Sequence, residues 1–281
     1  MPWSPGGGSD TLMRLVSNGI EPYLGEPMPV INMPGVGGTV GLKEASGRDP
    51  DGYTVSQVHE GLLTANATGV TDLSWSDFDL IALMTASPQL LAVNADRPYT
   101  TFEEFIAHAK DNPGQIRFGV TLGGVPHLHA AMIEDAYDVE FAYVGYEGTG
   151  ERIRALVGGN LDAAIGDIPS AAQFVEAGDL RFLATGAAER MEEAPDVPTL
   201  KELDSDLELL VTRGLVMPKG SPQEVKDTLE QALAGLAEDE AFVTRVNNAG
   251  ASVDFRGQEA YGAYLGDLAV TIERLAERMA P

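Results

Sequence analysis

The residues of this sequence best suited to binding a ligand lie in glycine-rich turns. They recur between strand-like and helix-like segments, as PGGGSD (5–10), PGVGGTVG (34–41), GVTLGGVPH (119–127) and YEGTGER (146–152). Such a turn exposes backbone N–H groups, and the helix behind it adds the positive end of its dipole. Four turns at matching positions predict an anion site. The alternative is that they are tight strand–helix connections without a ligand.

The second turn also invites comparison with a dinucleotide fingerprint. Gly35, Gly37 and Gly41 give G-x-G-x-x-x-G after an apolar run, with Asp51 downstream. The last glycine is one place away from the nicotinamide-dinucleotide pattern, and no G-x-x-x-x-G-K-[ST] phosphate loop is present. A nucleotide-dependent α/β enzyme, an oxidoreductase or transferase using 34–41, therefore stays as an alternative.

Other reactive groups give weaker signals. His127 and His129 are two residues apart, and on a helix their side chains would point in different directions. This spacing favours a capping or surface role for each histidine over a shared metal site. His59 and Glu60 follow a strand-like run, where ligand contact is plausible. No G-x-S-x-G elbow is present, and the chain has no cysteine. We therefore expect no catalytic residues, no metal and no cofactor.

Charge excludes two classes of partner. Eighteen Lys and Arg against 43 Asp and Glu give a net charge of −25. Nucleic acid and anionic membrane surfaces are thus not expected as partners. The lysine-poor, acid-rich composition fits a halophilic protein, because concentrated salt screens repulsion within ~3 Å at 1 M. An ordinary acidic bacterial protein is the alternative. No run of apolar residues is long enough to insert into a membrane.

Strand-like and helix-like segments alternate along the chain. The expected strands are 28–32, 52–58, 78–84, 90–94, 116–120, 141–146, 161–167, 180–186 and 209–218, and the expected helices are 10–24, 101–111, 127–136, 149–158, 170–177, 221–237, 238–248 and 257–279. This alternation predicts α/β layers with mainly parallel sheets. Two series of strands predict two lobes, with residues 1–95 and 216–281 forming lobe 1 and 96–215 forming lobe 2. A chain that passes twice between the two lobes favours a mechanism in which domain closure traps the ligand.

In order along the chain, these segments resemble the Bug-type extracytoplasmic receptors of tripartite tricarboxylate transporters. The resemblance covers nearly the whole chain and is carried by PWSPGGGSD, GEPMPVINMPGVGG, DPDGYTV, GGVPHLHAA, YVGYEGTGERIRALVGGNLDAAIGD, APDVPTLKE and GLVMPKGSP, together with 78–119. Each motif is loose by itself, whereas the ordered set is specific.

The resemblance implies a two-lobed type-II periplasmic-binding-protein fold with a ligand cleft between the lobes. It implies a receptor, not an enzyme, that delivers a di- or tricarboxylate or an acidic amino acid to membrane permease subunits, outside the cytoplasm. Carried over by position, the ligand-binding residues are Pro5, Gly6, Gly7, Gly8, Ser9, Asp10, His59, Glu60, Thr121, Gly123, Gly124, Tyr146, Gly148, Thr149 and Asp167. A sensor-linked binding protein would share this pattern and is the other alternative.

Two departures from the family pattern stand out. A hydrophobic strand usually precedes the first glycine turn, so we expect further sequence upstream of Met1; the residues given contain no export signal. The turn TLGGVPH replaces a serine-rich loop, and Glu60 would add negative charge near an anion site. Both features leave the identity of the ligand open.

Overall fold

The computed structural model describes residues 1–279 and divides into two compact units. Unit 1 comprises Met1–Ser87 and Thr212–Ala276; unit 2 comprises Pro88–Val211 and residues 277–279. These boundaries lie a few residues before the expected ones at 95 and 215. The last residues of the expected lobe 1, 280–281, lie outside the described part of the chain.

Eleven α-helices and nine strands are assigned within residues 1–279, numbered in chain order. They are α1 Gly8–Gly19, α2 Glu21–Leu24, α3 Thr39–Ser46, β1 Ser56–Val58, α4 Glu60–Ala67, β2 Phe78–Pro88, β3 Leu90–Asn94, α5 Phe102–Asp111, β4 Arg117–Val120, α6 Val125–Tyr137, β5 Ala142–Gly145, α7 Thr149–Val157, β6 Ala163–Gly166, α8 Ile168–Glu176, β7 Leu180–Thr185, β8 Leu210–Pro218, α9 Gln223–Ala237, α10 Glu240–Asn248, β9 Ser252–Gly257 and α11 Gln258–Leu275. Short 3-10 helices occupy Val36–Gly38, Trp75–Asp77 and Lys201–Leu203.

Unit 1 is built on a four-stranded sheet in the order β1–β8–β2–β9. β1 is antiparallel to β8, with Val58 opposite Gly214, and β9 is antiparallel to β2. Apolar faces of α1, α9 and α10 cover this sheet, and their buried side chains include Val16, Leu233 and Phe242. The i, i+3, i+4 spacing of the apolar residues places them on one side of each helix.

Unit 2 contains a five-stranded mixed sheet in the order β5–β4–β6–β3–β7. β4 runs parallel to both β5 and β6, whereas β3 is antiparallel to β6 and β7. The carboxyl ends of β4, β5 and β6 therefore meet at one edge of the sheet. Phe105, Phe118 and Ile133 pack the core between this sheet and its helices.

The expectation of mainly parallel sheets is wrong, because four of the strand pairs are antiparallel. Hydrophobic periodicity locates a strand but carries no information on its direction. The tail is not all helix, since β9 lies between α10 and α11. Residues 28–32 form no strand; the Met1 amino group donates to the carbonyl of Ile31, and the N–H of Met33, just beyond this stretch, donates to the carbonyl of Met1. The strand Leu90–Asn94, expected in lobe 1, belongs to the sheet of unit 2.

Candidate functional site

The first glycine turn leads directly into α1. Gly6 has φ +83°, which L-residues rarely adopt, and Gly7 is the extended N-cap of the helix. The N–H groups of Gly8, Ser9 and Asp10 have no carbonyl acceptor within residues 1–279, as is usual in a first helical turn. They and the helix dipole form a positively polarised end.

Asp10 is buried and stabilises this turn from inside. Its Oδ2 accepts hydrogen bonds from the N–H of Gly6 at 2.9 Å and from Arg14 Nε at 3.0 Å, and Oδ1 accepts one from Asn32 Nδ2 at 2.7 Å. Burial acts to raise the pKa of the carboxyl, but these hydrogen bonds outweigh it and hold the pKa below its ordinary value. The Gly6 N–H and the Asp10 carboxylate are both occupied within unit 1.

Arg213, in the middle of β8, brings a buried positive charge to the same helix end. Its Nε donates to Ser9 Oγ at 3.0 Å and its Nη1 donates to Ser87 Oγ at 2.8 Å. The guanidinium also lies over Gly8, where an added Cβ would be 3.5 Å from Nη2. Only 7 % of the residue is exposed. Unit 1 thus combines a guanidinium with the N–H groups of α1.

Arg213 and the N–H groups at the start of α1 form the unit 1 patch, and His59 is held beside it as a neutral imidazole. Its ring stacks on Trp3 with centroids 4.0 Å apart, and Nδ1 accepts the N–H of Gly61 at 2.9 Å as the N-cap of α4. Burial, and secondarily the charge of Arg213, lowers the pKa of His59 to about 3. Because Nδ1 is an acceptor, the ring proton of the neutral form is assigned to Nε2.

Glu60 points into unit 1 and is not a free negative charge. Its Oε1 accepts hydrogen bonds from the N–H of Thr212 at 2.8 Å, from the Thr212 hydroxyl and from Tyr264 Oη at 3.2 Å. Its Oε2 is buried without a partner among the described residues. Burial raises the pKa of Glu60, so the folded state favours the protonated carboxyl more than the unfolded state does.

The glycines of the 34–41 turn serve packing. A Cβ on Gly38 would be 2.8 Å from Trp3 Cε2, and one on Gly41 would be 2.5 Å from the carbonyl oxygen of Met33 and 2.9 Å from Pro2 Cα. Glycine at these two positions lets the N-terminal residues approach the backbone closely. The spacing that resembles a nucleotide fingerprint therefore has a structural explanation.

In unit 2, three candidate residues follow three parallel strands. Thr121 comes directly after β4, Tyr146 after β5 and Asp167 after β6. The parallel register of these strands brings the three residues to one edge of the sheet, the edge where open α/β sheets bind ligands. The Thr121 hydroxyl donates to the carbonyl of Tyr146 at 2.9 Å, which ties the first two ends together. Asp167 caps α8, and its Oδ1 accepts the N–H of Ser170 at 2.9 Å.

The 121–124 turn is internally bonded. The N–H of Gly123 donates to His127 Nδ1 at 3.2 Å, and the N–H of Gly124 donates to the carbonyl of Thr121 at 2.8 Å. Gly123 has φ +67°. Both glycines shape the turn, and neither N–H is left over for a ligand.

His127 and His129 diverge, as expected, but neither is a surface residue. Both are buried, and burial lowers the pKa of each to about 4. His127 accepts the N–H of Gly123, whereas His129 Nε2 lies 3.1 Å from the carbonyl oxygen of Leu210. Helical spacing separates two residues at i and i+2 by about 200°, which explains their different partners.

The fourth turn opens α7. Gly148 is its extended N-cap, and Thr149 is the first helical residue, half-buried. Arg152, one turn later, donates through Nη2 to Thr149 Oγ1 at 3.3 Å and through Nη1 to Thr121 Oγ1 at 3.2 Å. Its Nε also donates to the carbonyl of Ile165 at 3.1 Å. A second buried guanidinium thus lies behind the candidate residues of unit 2.

Sequence reasoning missed Arg152, Arg213 and Ser87. A charged residue inside the apolar run LLVTRGLVMP was a usable signal for Arg213, because a strand rarely buries an unpaired cation. Arg152 gave no such signal, since RIR on a helix suits an exposed face equally well.

Three further observations concern a cavity, metal binding and membrane-spanning helices. A cavity of about 760 Å³ in unit 1 has a largely apolar lining that includes Met13, Val30 and Leu215, and none of the candidate ligand-binding residues lines it. Within residues 1–279, no three His, Asp or Glu side chains are grouped as a metal site would require. No helix in that range combines the length and hydropathy needed to cross a bilayer.

Comparison with known proteins gives concordant matches. A protein of Cupriavidus necator, "UPF0065 protein in gbd 5'region", is 35% identical over 235 residues, covering 82% of this chain and 71% of that protein. The solved structure of the periplasmic binding protein BugD has a TM-score of 0.80 at 26% identity and covers 99% of this chain and 95% of that one. MatC from Rhodopseudomonas palustris, solved with bound malate, has a TM-score of 0.78 at 27% identity, and the match covers 99% of this chain and 96% of MatC.

The fold is therefore that of the periplasmic binding proteins, and the relatives are solute-binding receptors rather than enzymes, which sets aside the nucleotide-dependent alternative. The profile described as "Tripartite tricarboxylate transporter family receptor" matches residues 12–273. Through this match over most of its length, the chain belongs to the tripartite tricarboxylate transporter receptor family.

Proposed function

We propose that this protein is an extracytoplasmic receptor that binds a small organic dicarboxylate and presents it to the membrane permease of a tripartite transporter. The single observation that carries the choice of ligand is the guanidinium of Arg213 at the N-terminus of α1. Family membership supports the role of receptor, and the malate bound to MatC supports a carboxylate as the ligand class.

The chemistry of the unit 1 patch suits one carboxylate group. A guanidinium offers N–H donors in a planar fork, and the N–H groups of Gly8 and Ser9 add donors at the positive end of a helix. The Ser9 hydroxyl accepts from Arg213, so its own proton is available to a ligand. His59 contributes a neutral Nε2–H. Each charge-assisted hydrogen bond contributes about 1.5–3 kcal/mol.

The first turn of α7 forms the unit 2 patch, which also suits an acidic group. The first turn of α7 supplies backbone N–H groups from Thr149 onward, and the Thr149 side chain supplies a hydroxyl. Gly123 and Gly124 would contribute through the shape of their turn, since their N–H groups are occupied. Asp10, Glu60 and Asp167 would shape the surroundings through the hydrogen bonds that they accept.

Isothermal titration calorimetry with succinate, malate, adipate and glutamate tests the proposal. At least one dicarboxylate is expected to bind with ~micromolar affinity. Arg213→Met is expected to weaken it at least tenfold, because a charge-assisted hydrogen bond is lost. The affinity of Arg213→Lys is expected to lie between those of wild type and Arg213→Met. Arg245→Met, an exposed arginine of the same unit, is the matched control and should leave binding unchanged.

Absence of binding by every carboxylate in the panel would refute the proposed ligand class. Equal affinities for wild type and a folded Arg213→Met variant would refute the role given to the guanidinium. Thermal melts of each variant establish that it is folded.

A further inference from the structure

Arg152 is the most unusual charge in unit 2. It has the largest volume of the fully buried side chains among residues 1–279, and 1 % of its surface is exposed. No carboxylate lies within 4.0 Å of its guanidinium among residues 1–279, and Asp167 acts on it only at longer range. Burial lowers its pKa to about 10. Burying a guanidinium without a counter-ion is destabilising, which calls for an explanation in a chain with a net charge of −25.

The hydrogen bonds of Arg152 converge on the candidate ligand residues. Nε and Nη2 both donate to the carbonyl of Ile165 at 3.1 Å, in the strand that ends before Asp167. Nη1 donates to the Thr121 hydroxyl and Nη2 to the Thr149 hydroxyl. The side chain therefore joins the end of β4, the end of β6 and the start of α7.

The two threonines differ in what their protons can do. Thr121 accepts from Arg152 and donates its proton to the carbonyl of Tyr146. Thr149 accepts from Arg152 but has no acceptor for its own proton among the described residues. Since one lone pair faces the guanidinium, the Thr149 O–H is directed away from it, and the residue is only half-buried. Arg152 thus orients a hydroxyl donor toward the accessible side of α7.

We propose that Arg152 is a positioning residue that makes unit 2 selective for an ionised carboxylate over an uncharged amide or hydroxyl, by orienting the Thr149 hydroxyl and by supplying the positive charge that the bound anion neutralises. This inference rests on the proposed carboxylate-receptor function and names the charge state of the group that unit 2 binds. A carboxylate bound to unit 2 would neutralise the charge of Arg152, whereas an amide would leave Arg152 without a counter-charge.

The test compares a dicarboxylate with its own monoamide. The probe is whichever of succinate, malate and adipate binds wild type most tightly, paired with succinamate, malamate or adipamate and measured by calorimetry. Wild type is expected to prefer the dianion by roughly 10–100-fold, the equivalent of one charge-assisted hydrogen bond. Arg152→Met is expected to reduce that ratio to within about threefold of unity, the typical context-dependence of such terms. Arg152→Lys should restore part of the ratio.

Arg154→Met is the matched control, because it removes the same charge from an exposed position of α7. It should keep the wild-type ratio. Thr149→Val should weaken both probes without abolishing the preference.

A folded Arg152→Met variant that keeps the wild-type ratio would reduce Arg152 to a structural role, whatever its absolute affinity. A wild-type protein that binds dianion and monoamide equally would overturn the inference while leaving the carboxylate receptor intact. Failure of wild type to bind any probe would overturn the proposed function itself.

Discussion

Arg213 donates its Nε–H to the hydroxyl of Ser9 across 3.0 Å, although 204 residues separate them in the chain. The contact joins the strand β8 to the first turn of α1 and holds a guanidinium where the helix N–H groups are exposed. A second hydrogen bond to Ser87 fixes the plane of the guanidinium. Two oriented hydrogen bonds hold the guanidinium in a defined direction before a ligand arrives.

Ser9→Ala should weaken dicarboxylate binding by about fivefold, because the variant loses one hydrogen bond worth about 1 kcal/mol and the orientation of Arg213. Calorimetry with the best-binding dicarboxylate measures this. Ser46→Ala, which alters an exposed hydroxyl bonded only within α3, should leave the dissociation constant unchanged. Wild-type affinity in Ser9→Ala would contradict the role of this hydroxyl.

Glu60→Gln should be at least as stable as wild type at pH 7.5. Burial raises the folded-state pKa of Glu60 above its ordinary value of 4.5, so above pH 4.5 the unfolded state releases this proton more readily and the stability of wild type falls as pH rises toward the folded pKa. Glutamine has no such proton. The stability difference, measured by urea unfolding from pH 4.5 to 8, should therefore grow in favour of Glu60→Gln with pH. A difference that shrinks with pH would show that Glu60 is ionised in the fold.

Buried histidines should make the protein sensitive to mild acid. Burial lowers the pKa of His129 to about 4, below the value of 6.5 for an exposed imidazole. Between these values the unfolded state binds the proton and the folded state does not, so stability is full above pH 6.5 and falls as pH drops toward 4. The loss is about 1–2 kcal/mol for this group between pH 7 and pH 5. His127 should act in the same direction.

Unfolding of His129→Gln, in which the amide can still donate to Leu210, should show a shallower decline between pH 7 and pH 5. An unchanged slope in His129→Gln would contradict the buried neutral imidazole.

Salt should stabilise this protein, in line with the halophilic interpretation. With a net charge of −25, repulsion among surface carboxylates opposes folding, and the screening length shortens to ~3 Å at 1 M salt. The melting temperature should rise steadily from 0.1 to 2 M KCl. Dicarboxylate affinity should change little, because buried donors at hydrogen-bond distance are poorly screened. A steep monotonic loss of affinity would indicate binding by exposed cations instead.

Local pattern was enough to predict most elements of this chain. Helices such as Phe102–Asp111 follow from the 3.6-residue spacing of their apolar side chains, and strands such as Leu90–Asn94 follow from a short continuous apolar run. The α/β class and the placement of Thr121, Tyr146 and Asp167 after successive strands also follow from order along the chain. The site residues themselves stay a prediction.

Only the tertiary structure decided which polar groups are free and which are occupied. Glu60 faces Thr212, Arg152 lies behind Thr149, and the N–H of Gly123 belongs to His127. The antiparallel direction of β3 and the existence of β9 were decided in the same way. The physical reason is that strand pairing and buried hydrogen bonds join residues as far apart as Ser9 and Arg213, whereas sequence periodicity reports only on neighbours within a turn or two.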